Sequence, residues 1–199
     1  MGRYKTNALN TEQFEKIIQC LVDGIHTDKV ILKPNKETAF ALTLQGNLGL
    51  RIGDIVNLKL NDFVFDGWRY TLDIIEEKTH KSRKQFTVNK FVYEYALNYC
   101  LDNGIRRNNK MITIGVRAIQ KNLKKVAEHL GYKNISTHSF RKYFATSIYM
   151  ENNYNIILVQ KLLQHTKADT TQAYIGISEK QVEDALDKHV ILPSLEKSN

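Results

Sequence analysis

The chain has 199 residues, 42% of them hydrophobic, and carries 29 Lys and Arg against 21 Asp and Glu, a formal net charge of +8. That is enough apolar material for one substantial core and too much for a disordered tail, and the positive balance suits a polyanionic partner. Two distant cysteines in apolar segments, Cys20 and Cys100, exclude a disulfide framework; with no leader-like N-terminus and no membrane-length apolar run, the chain reads as cytoplasmic with no membrane role.

Residues 1–9 are short and basic and read as flexible. With Thr11 as N-cap, a helix is predicted over about residues 12–24, with Phe14, Ile17, Ile18, Leu21 and Val22 as its stripe and Gly24 at its end. A second helical pattern runs from Thr38 to Gln45, and Gly46 and Gly49 interrupt it. Leu50 to Leu58 then opens a short helix with Ile52, Ile55 and Leu58 on one face. Arg51 is embedded among apolar neighbours and needs a partner or a task. From this stretch alone the favoured partner is Asp54, three residues on.

Between residues 63 and 88 the period changes. Tyr70, Leu72 and Ile74 alternate with Thr71 and Asp73, and Gln85 to Val88 reads as a returning strand. The connection, Glu76 to Lys84, is polar and rich in cations (Lys78, Lys81, Arg83, Lys84). Such a turn can lie along a phosphate backbone or in solvent.

Residues 89–103 form a helix closed by Asn103-Gly104, and Arg106 to Lys110 is a basic loop. Thr113 is read as the cap of a helix reaching about Leu130, with Val116, Ile119, Leu123, Val126 and Leu130 inward. Arg117, Lys121, Lys124 and Lys125 lie mostly on its other side, a candidate DNA-backbone contact or a solvated face.

The next helix opens at Ser136-Thr137. With Thr137 as N-cap, His138 is the first helical residue and Arg141 stands one turn on. Its first turn offers unpaired N–H groups and a positive dipole, which attract phosphate and favour a neutral imidazole. Asn155 caps a further helix through about Gln164, with His165 at its end. Asp169 to Gly176 carries Tyr174. Ser178 and Gln181 form a capping box for a last helix striped by Val182, Ala185 and Leu186, and Pro193 ends order.

These residues suit phosphodiester cleavage. Tyr174 supplies a nucleophile that needs a base or a cationic surround, since its ordinary pKa is about 10. Arg51 and Arg141 can clamp the two non-bridging oxygens, each contributing about 3–4 kcal/mol to the transition state if preorganised. Lys78 can protonate the leaving 5′ oxygen, His138 can act as base, and His165 can donate a hydrogen bond to the phosphate. The acidic residues are scattered without Zn or Mg ligand spacing, and no P-loop is present, so no metal or other cofactor is expected. A tyrosyl ester conserves the bond energy without ATP.

Gly49-Leu50-Arg51-Ile52-Gly53-Asp54-Ile55, Lys78 within Lys78-Thr79-His80-Lys81-Ser82-Arg83, His138-Ser139-Phe140-Arg141, and Leu162-Leu163-Gln164-His165 followed by Thr170-Thr171-Gln172-Ala173-Tyr174 resemble, in order and spacing, the catalytic domain of tyrosine recombinases, the phage-integrase family. The match runs from about Leu9 to Ile177. The resemblance gives Asp54 a supporting role at the acidic position and makes Lys78 the hairpin lysine, with Lys81 the second choice. It implies an α+β, mainly helical fold with a small antiparallel sheet or hairpin near residues 63–88. It further implies a 3′-phosphotyrosyl intermediate on double-stranded DNA and a homotetramer on DNA that exchanges C-terminal helices.

Gln164 stands where the family has glycine, which the helix accommodates by continuing one residue further. The expected layout is a flexible N-terminus over 1–9, a catalytic domain over 10–190 and a flexible tail over 191–199, with no preceding core-binding domain. The chain is then either an excised domain or a compact recombinase like those that invert fimbrial DNA switches. Two other readings compete: a type IB topoisomerase-like activity, and a DNA-binding regulator without chemistry.

Overall fold

The computed structural model describes residues 6–27, 31–83, 86–165 and 171. Tyr174, Lys84, the last helix and the tail read from the sequence lie outside the described residues.

The first helix, α1 (Thr11–Asp23), is capped by Asn10 rather than Thr11. The Asn10 carboxamide accepts the Gln13 N–H at 2.8 Å, and the Gln13 side chain answers from the Asn10 N–H at 3.1 Å. Residues 6–9 are tied down: Leu9 is buried in the core, the Asn7 N–H donates to the Asn134 carbonyl at 3.1 Å, and Lys142 donates to the Thr6 carbonyl at 2.6 Å.

After α1 comes an antiparallel pair, β1 (Ile25–His26) and β2 (Ile31–Leu32). Helix α2 (Lys36–Leu48) follows, buried nearly all round and packed against α1 and three elements later in the chain. Gly46 does not interrupt α2; it lets the Phe14 ring reach the helix, since a Cβ there would stand 2.6 Å from Phe14 Cε2. The helix ends at Gly49, whose φ of +62° is left-handed. Phe144 packs over Gly49 so closely that a Cβ would overlap its ring.

The short α3 (Ile52–Ile55) and a 3₁₀ turn (Leu60–Asp62) lead into a three-stranded antiparallel sheet. Its strands, β3 (Phe63–Phe65), β4 (Tyr70–Leu72) and β5 (Thr87–Val88), pair in the order β3-β4-β5. Beyond β4 the chain makes a hairpin closed by a bridge between Ile75 and Ser82, and this hairpin carries Lys78.

Helices α4 (Lys90–Asp102), α5 (Val116–His129), α6 (Thr137–Glu151) and α7 (Ile156–Leu163) complete the described fold. Helix α5 starts later than Thr113, with Gly115 at its N-cap, because the Glu37 carboxylate takes both the Thr113 N–H and its hydroxyl, the latter at 2.8 Å. Helix α6 is capped one residue earlier than expected, at Ser136. The main core joins Ile17 and Leu21 of α1, Phe40, Leu42 and Leu44 of α2, Ile119 and Leu123 of α5, and Phe140 of α6. Ala145, Val159 and Leu163 form a smaller cluster between α6 and α7. The fold is mainly helical with small antiparallel sheets, as the sequence led one to expect.

Gly49→Ala and Gly104→Ala both force a side chain into left-handed backbone, at about 1–2 kcal/mol, but a Cβ at Gly104 meets nothing within 4 Å. Urea unfolding should therefore show the larger loss for Gly49→Ala. Equal losses would mean that the Phe144 contact imposes no constraint.

Candidate active site

Arg51 stands at the N-cap of α3 in extended backbone, just after the Gly49 turn. Its guanidinium Nη1 donates to Glu76 Oε2 at 2.5 Å. This corrects the expectation of an Arg51–Asp54 pair. Asp54 instead accepts the backbone N–H of Glu77 at 2.9 Å and ties α3 to the base of the hairpin. Burial raises the Asp54 carboxyl above its ordinary pKa, against that hydrogen bond.

Glu76 is fully buried and accepts on both oxygens. Besides Arg51, Oε2 takes the Thr79 hydroxyl at 3.1 Å, and Oε1 takes Arg83 Nε at 2.6 Å. Burial alone would raise its pKa, but Arg83, Arg141 and Arg51 together hold it below the ordinary value. Arg83, expected as a DNA contact, is therefore an internal cation. It is 4% exposed, and its Nη1 donates to the Leu162 carbonyl at 2.6 Å.

On α6 the Ser136 hydroxyl accepts the His138 N–H at 3.2 Å, fixing the first turn. Arg141 lies one turn along and is fully buried. It donates from Nη1 to the Gly49 carbonyl at 2.7 Å and from Nη2 to the Leu163 carbonyl at 3.0 Å. The negative C-terminal ends of α2 and α7 thus meet on one guanidinium.

Helix α7 stops at Leu163, not beyond it. Gln164 is its C-cap with φ 55° and ψ 34°, the left-handed conformation that glycine favours, so the expected extra helical residue is not formed. His165 follows, half-buried, with Nδ1 3.1 Å from the Thr171 hydroxyl. Burial and the nearby Arg141 and Arg51 lower its pKa to about 4. The His138 pKa is also lowered, by partial desolvation and then by Arg141, Arg51, Lys142 and Lys78. Both shifts favour the neutral ring.

The structure thus brings Arg51, Arg141, His138, His165 and the exposed Lys78 into one electrostatic neighbourhood. Lys81 is half-buried and donates to the Gln164 carbonyl at 3.1 Å. Arg117, Lys121 and Lys124 are exposed on α5, Lys125 is half-buried there, and Lys124 pairs with Glu128 at 3.6 Å. Among the described residues no three His, Cys, Asp or Glu side chains cluster to hold a metal ion, and no helix is long and apolar enough to cross a membrane.

Sequence reasoning missed Glu76 and Thr171. A signal for Glu76 was present: it continues the alternation of Tyr70, Leu72 and Ile74, a carboxylate on the inward register.

The family description "Phage integrase family" matches residues 7–181, and the chain belongs to that family. The tyrosine recombinase XerC of Caldanaerobacter subterraneus subsp. tengcongensis is 31% identical over 197 residues, 91% of this chain and 50% of the relative. A probable integrase/recombinase of Acholeplasma phage L2 is 33% identical over 144 residues, 67% of this chain and 46% of the relative. The chain thus spans about half the length of these two curated relatives. The fold is similar to the XerH site-specific recombinase bound to palindromic difH substrate in a post-cleavage complex. That likeness has a TM-score of 0.71 and 21% identity, over 94% of this chain and 54% of that one. It is also similar to the catalytic domain of bacteriophage HP1 integrase, with a TM-score of 0.59 and 15% identity, over 92% and 95% of the two chains.

Replacing Glu76 by Gln leaves two guanidinium groups without their counter-charge. At pH 7 the variant should lose about 3–5 kcal/mol of stability. A carboxylate with a lowered folded pKa contributes stability above its unfolded value of 4.5, and that contribution is lost as pH falls through the folded value. The stability gap between the two proteins should therefore begin to close as pH falls below 4.5 and close fully only below the folded value. A gap that stays constant with pH would contradict the charged role of Glu76.

Proposed function

We propose that this chain is the catalytic unit of a site-specific DNA recombinase or integrase that cuts and rejoins double-stranded DNA through Tyr174. The observation that carries this reading is the convergence of Arg51, Arg141, His138, His165 and Lys78, drawn from four separate elements, on a chain of the phage integrase family. Relatives named as recombinases and a similar fold bound to a DNA substrate support it. The family match over residues 7–181 supports a catalytic domain over about 10–190.

In this mechanism the Tyr174 hydroxyl attacks the scissile phosphorus and passes its proton to neutral His138. The P–O5′ bond breaks, Lys78 gives a proton to the leaving oxygen, and a 3′-phosphotyrosyl ester remains beside a free 5′ hydroxyl. Attack by a 5′ hydroxyl reverses the step and reseals the strand. Arg51 and Arg141 neutralise the non-bridging oxygens. Arg141 is fully buried, so engaging a phosphate requires the groups over it to give way. If the Thr171 hydroxyl donates to His165 Nδ1, the ring proton sits on Nε2, the tautomer that can donate to phosphate.

The exposed cations of α5, with Lys81 and Lys84, are proposed to follow the DNA backbone. The apolar stripe Val182, Ala185 and Leu186 is proposed to join copies into a tetramer on DNA. The bacterial and phage relatives support a place in the cytoplasm of a bacterium or the genome of a mobile element.

A nicked suicide duplex carrying the cognate site traps the intermediate. Wild-type protein should give a denaturation-resistant protein–DNA adduct, and Tyr174→Phe should give none. Wild-type protein that binds this duplex without forming an adduct would contradict strand cleavage and favour a DNA-binding regulator.

A further inference from the structure

Three successive carbonyls at the end of α7 each receive a cation from another element. Leu162 takes Arg83, Leu163 takes Arg141, and Gln164 takes Lys81. Two of these donors, Lys81 and Arg83, belong to the returning leg of the hairpin. Between them the Ser82 carbonyl accepts the Gln164 side-chain amide at 2.8 Å. Residues 81–83 are thereby held to residues 162–164 by three polar contacts, two of them made by Gln164.

Gln164 occupies this place at evident cost. Its backbone is left-handed, a conformation that favours glycine, it is 8% exposed, and its buried Oε1 has no hydrogen-bond partner among the described residues. A glycine would end α7 equally well but could not reach Ser82. What glutamine adds here is the tether.

The hairpin it grips is small. The Ile75–Ser82 bridge closes it, the Glu76 N–H donates to the Lys81 carbonyl at 3.0 Å, and Lys78 rides the exposed turn between them. Its outgoing leg is fixed to Arg51 through Glu76 at 2.5 Å. Its returning leg is fixed to α7 through Gln164, one residue before His165. Both legs of the hairpin are thus tied to elements that carry Arg51 and lead to His165.

We propose that Gln164 is a positioning residue, which registers the hairpin so that Lys78 meets the leaving 5′ oxygen. This rests on the strand-cleavage reading above and adds to it the element that sets the proton donor's place. Misplacing a reacting group by about 1 Å can slow a reaction on the order of a hundredfold, so losing one tether of several should slow cleavage by about tenfold.

The test uses two nicked duplexes that differ only in the bridging atom at the scissile 5′ position, oxygen or sulfur. A thiolate leaves without being protonated, so the sulfur substrate does not need Lys78. Gln164→Gly keeps the left-handed cap and removes the tether; its Tm should hold or rise. Single-turnover cleavage of the oxygen substrate should fall about tenfold, and the sulfur substrate should be cut at the wild-type rate. Lys78→Ala should show the same pattern with a deeper loss on oxygen. If Gln164→Gly slows both substrates equally, or neither, the positioning proposal is overturned while strand cleavage stands. If wild-type protein cuts neither substrate, the cleavage reading falls and takes this proposal with it.

Discussion

Glu76 puts a full negative charge out of water, between the guanidinium groups of Arg51 and Arg83 and within the field of Arg141. A carboxylate so buried persists only with charged partners and complete hydrogen bonding, and here both oxygens are used. The arrangement ties three pieces of chain together: the α2–α3 junction that presents Arg51, the hairpin that presents Lys78, and the end of α7 that leads to His165. Without Glu76, Arg51 and Arg83 would repel each other across a low-dielectric space.

The same logic extends to Arg141, held by carbonyls at the C-terminal ends of α2 and α7. Helix ends supply partial negative charge that does not titrate, so these two contacts of Arg141 do not themselves depend on pH. Burial first, and then its positive charge with that of Arg51, lowers the pKa of both imidazoles. A neutral imidazole can accept the tyrosine proton, and a site dense in guanidinium groups attracts a phosphate. On the proposed mechanism the same positive charge serves both the phosphate and the base.

Much of this was legible in the residues. The stripe of α1 and the inward positions of α5 follow helical period, and the alternation from Tyr70 to Ile74 marks the sheet, because burial on one face imposes those periods. Arg51, His138, Arg141 and His165 were singled out through the family resemblance, and the fold draws them into one neighbourhood. Partners distant in sequence could not be read. Arg51 reaches Glu76, 25 residues on, rather than the nearby Asp54, because the hairpin folds back over α3. Arg83 looked like a surface cation because no local pattern reveals that a carboxylate and a helix end await it. The two-residue strands β1 and β2 are too short for any alternation to appear. Gln164 was expected to continue its helix by propensity, but tertiary contacts to Lys81 and Ser82 hold it left-handed instead.

On the proposed mechanism Arg51 acts on the charge of the scissile phosphate, beyond its role as a strut for Glu76. The direct measurement is cleavage by Arg51→Ala of a nicked duplex whose scissile phosphate carries a methyl group in place of one non-bridging oxygen. That linkage is uncharged and no longer needs the missing guanidinium. This role predicts that Arg51→Ala fails on the ordinary phosphodiester and forms the covalent adduct on the methylphosphonate. Failure of the variant on both substrates, where wild-type protein cuts both, would contradict it and leave Arg51 a purely structural role.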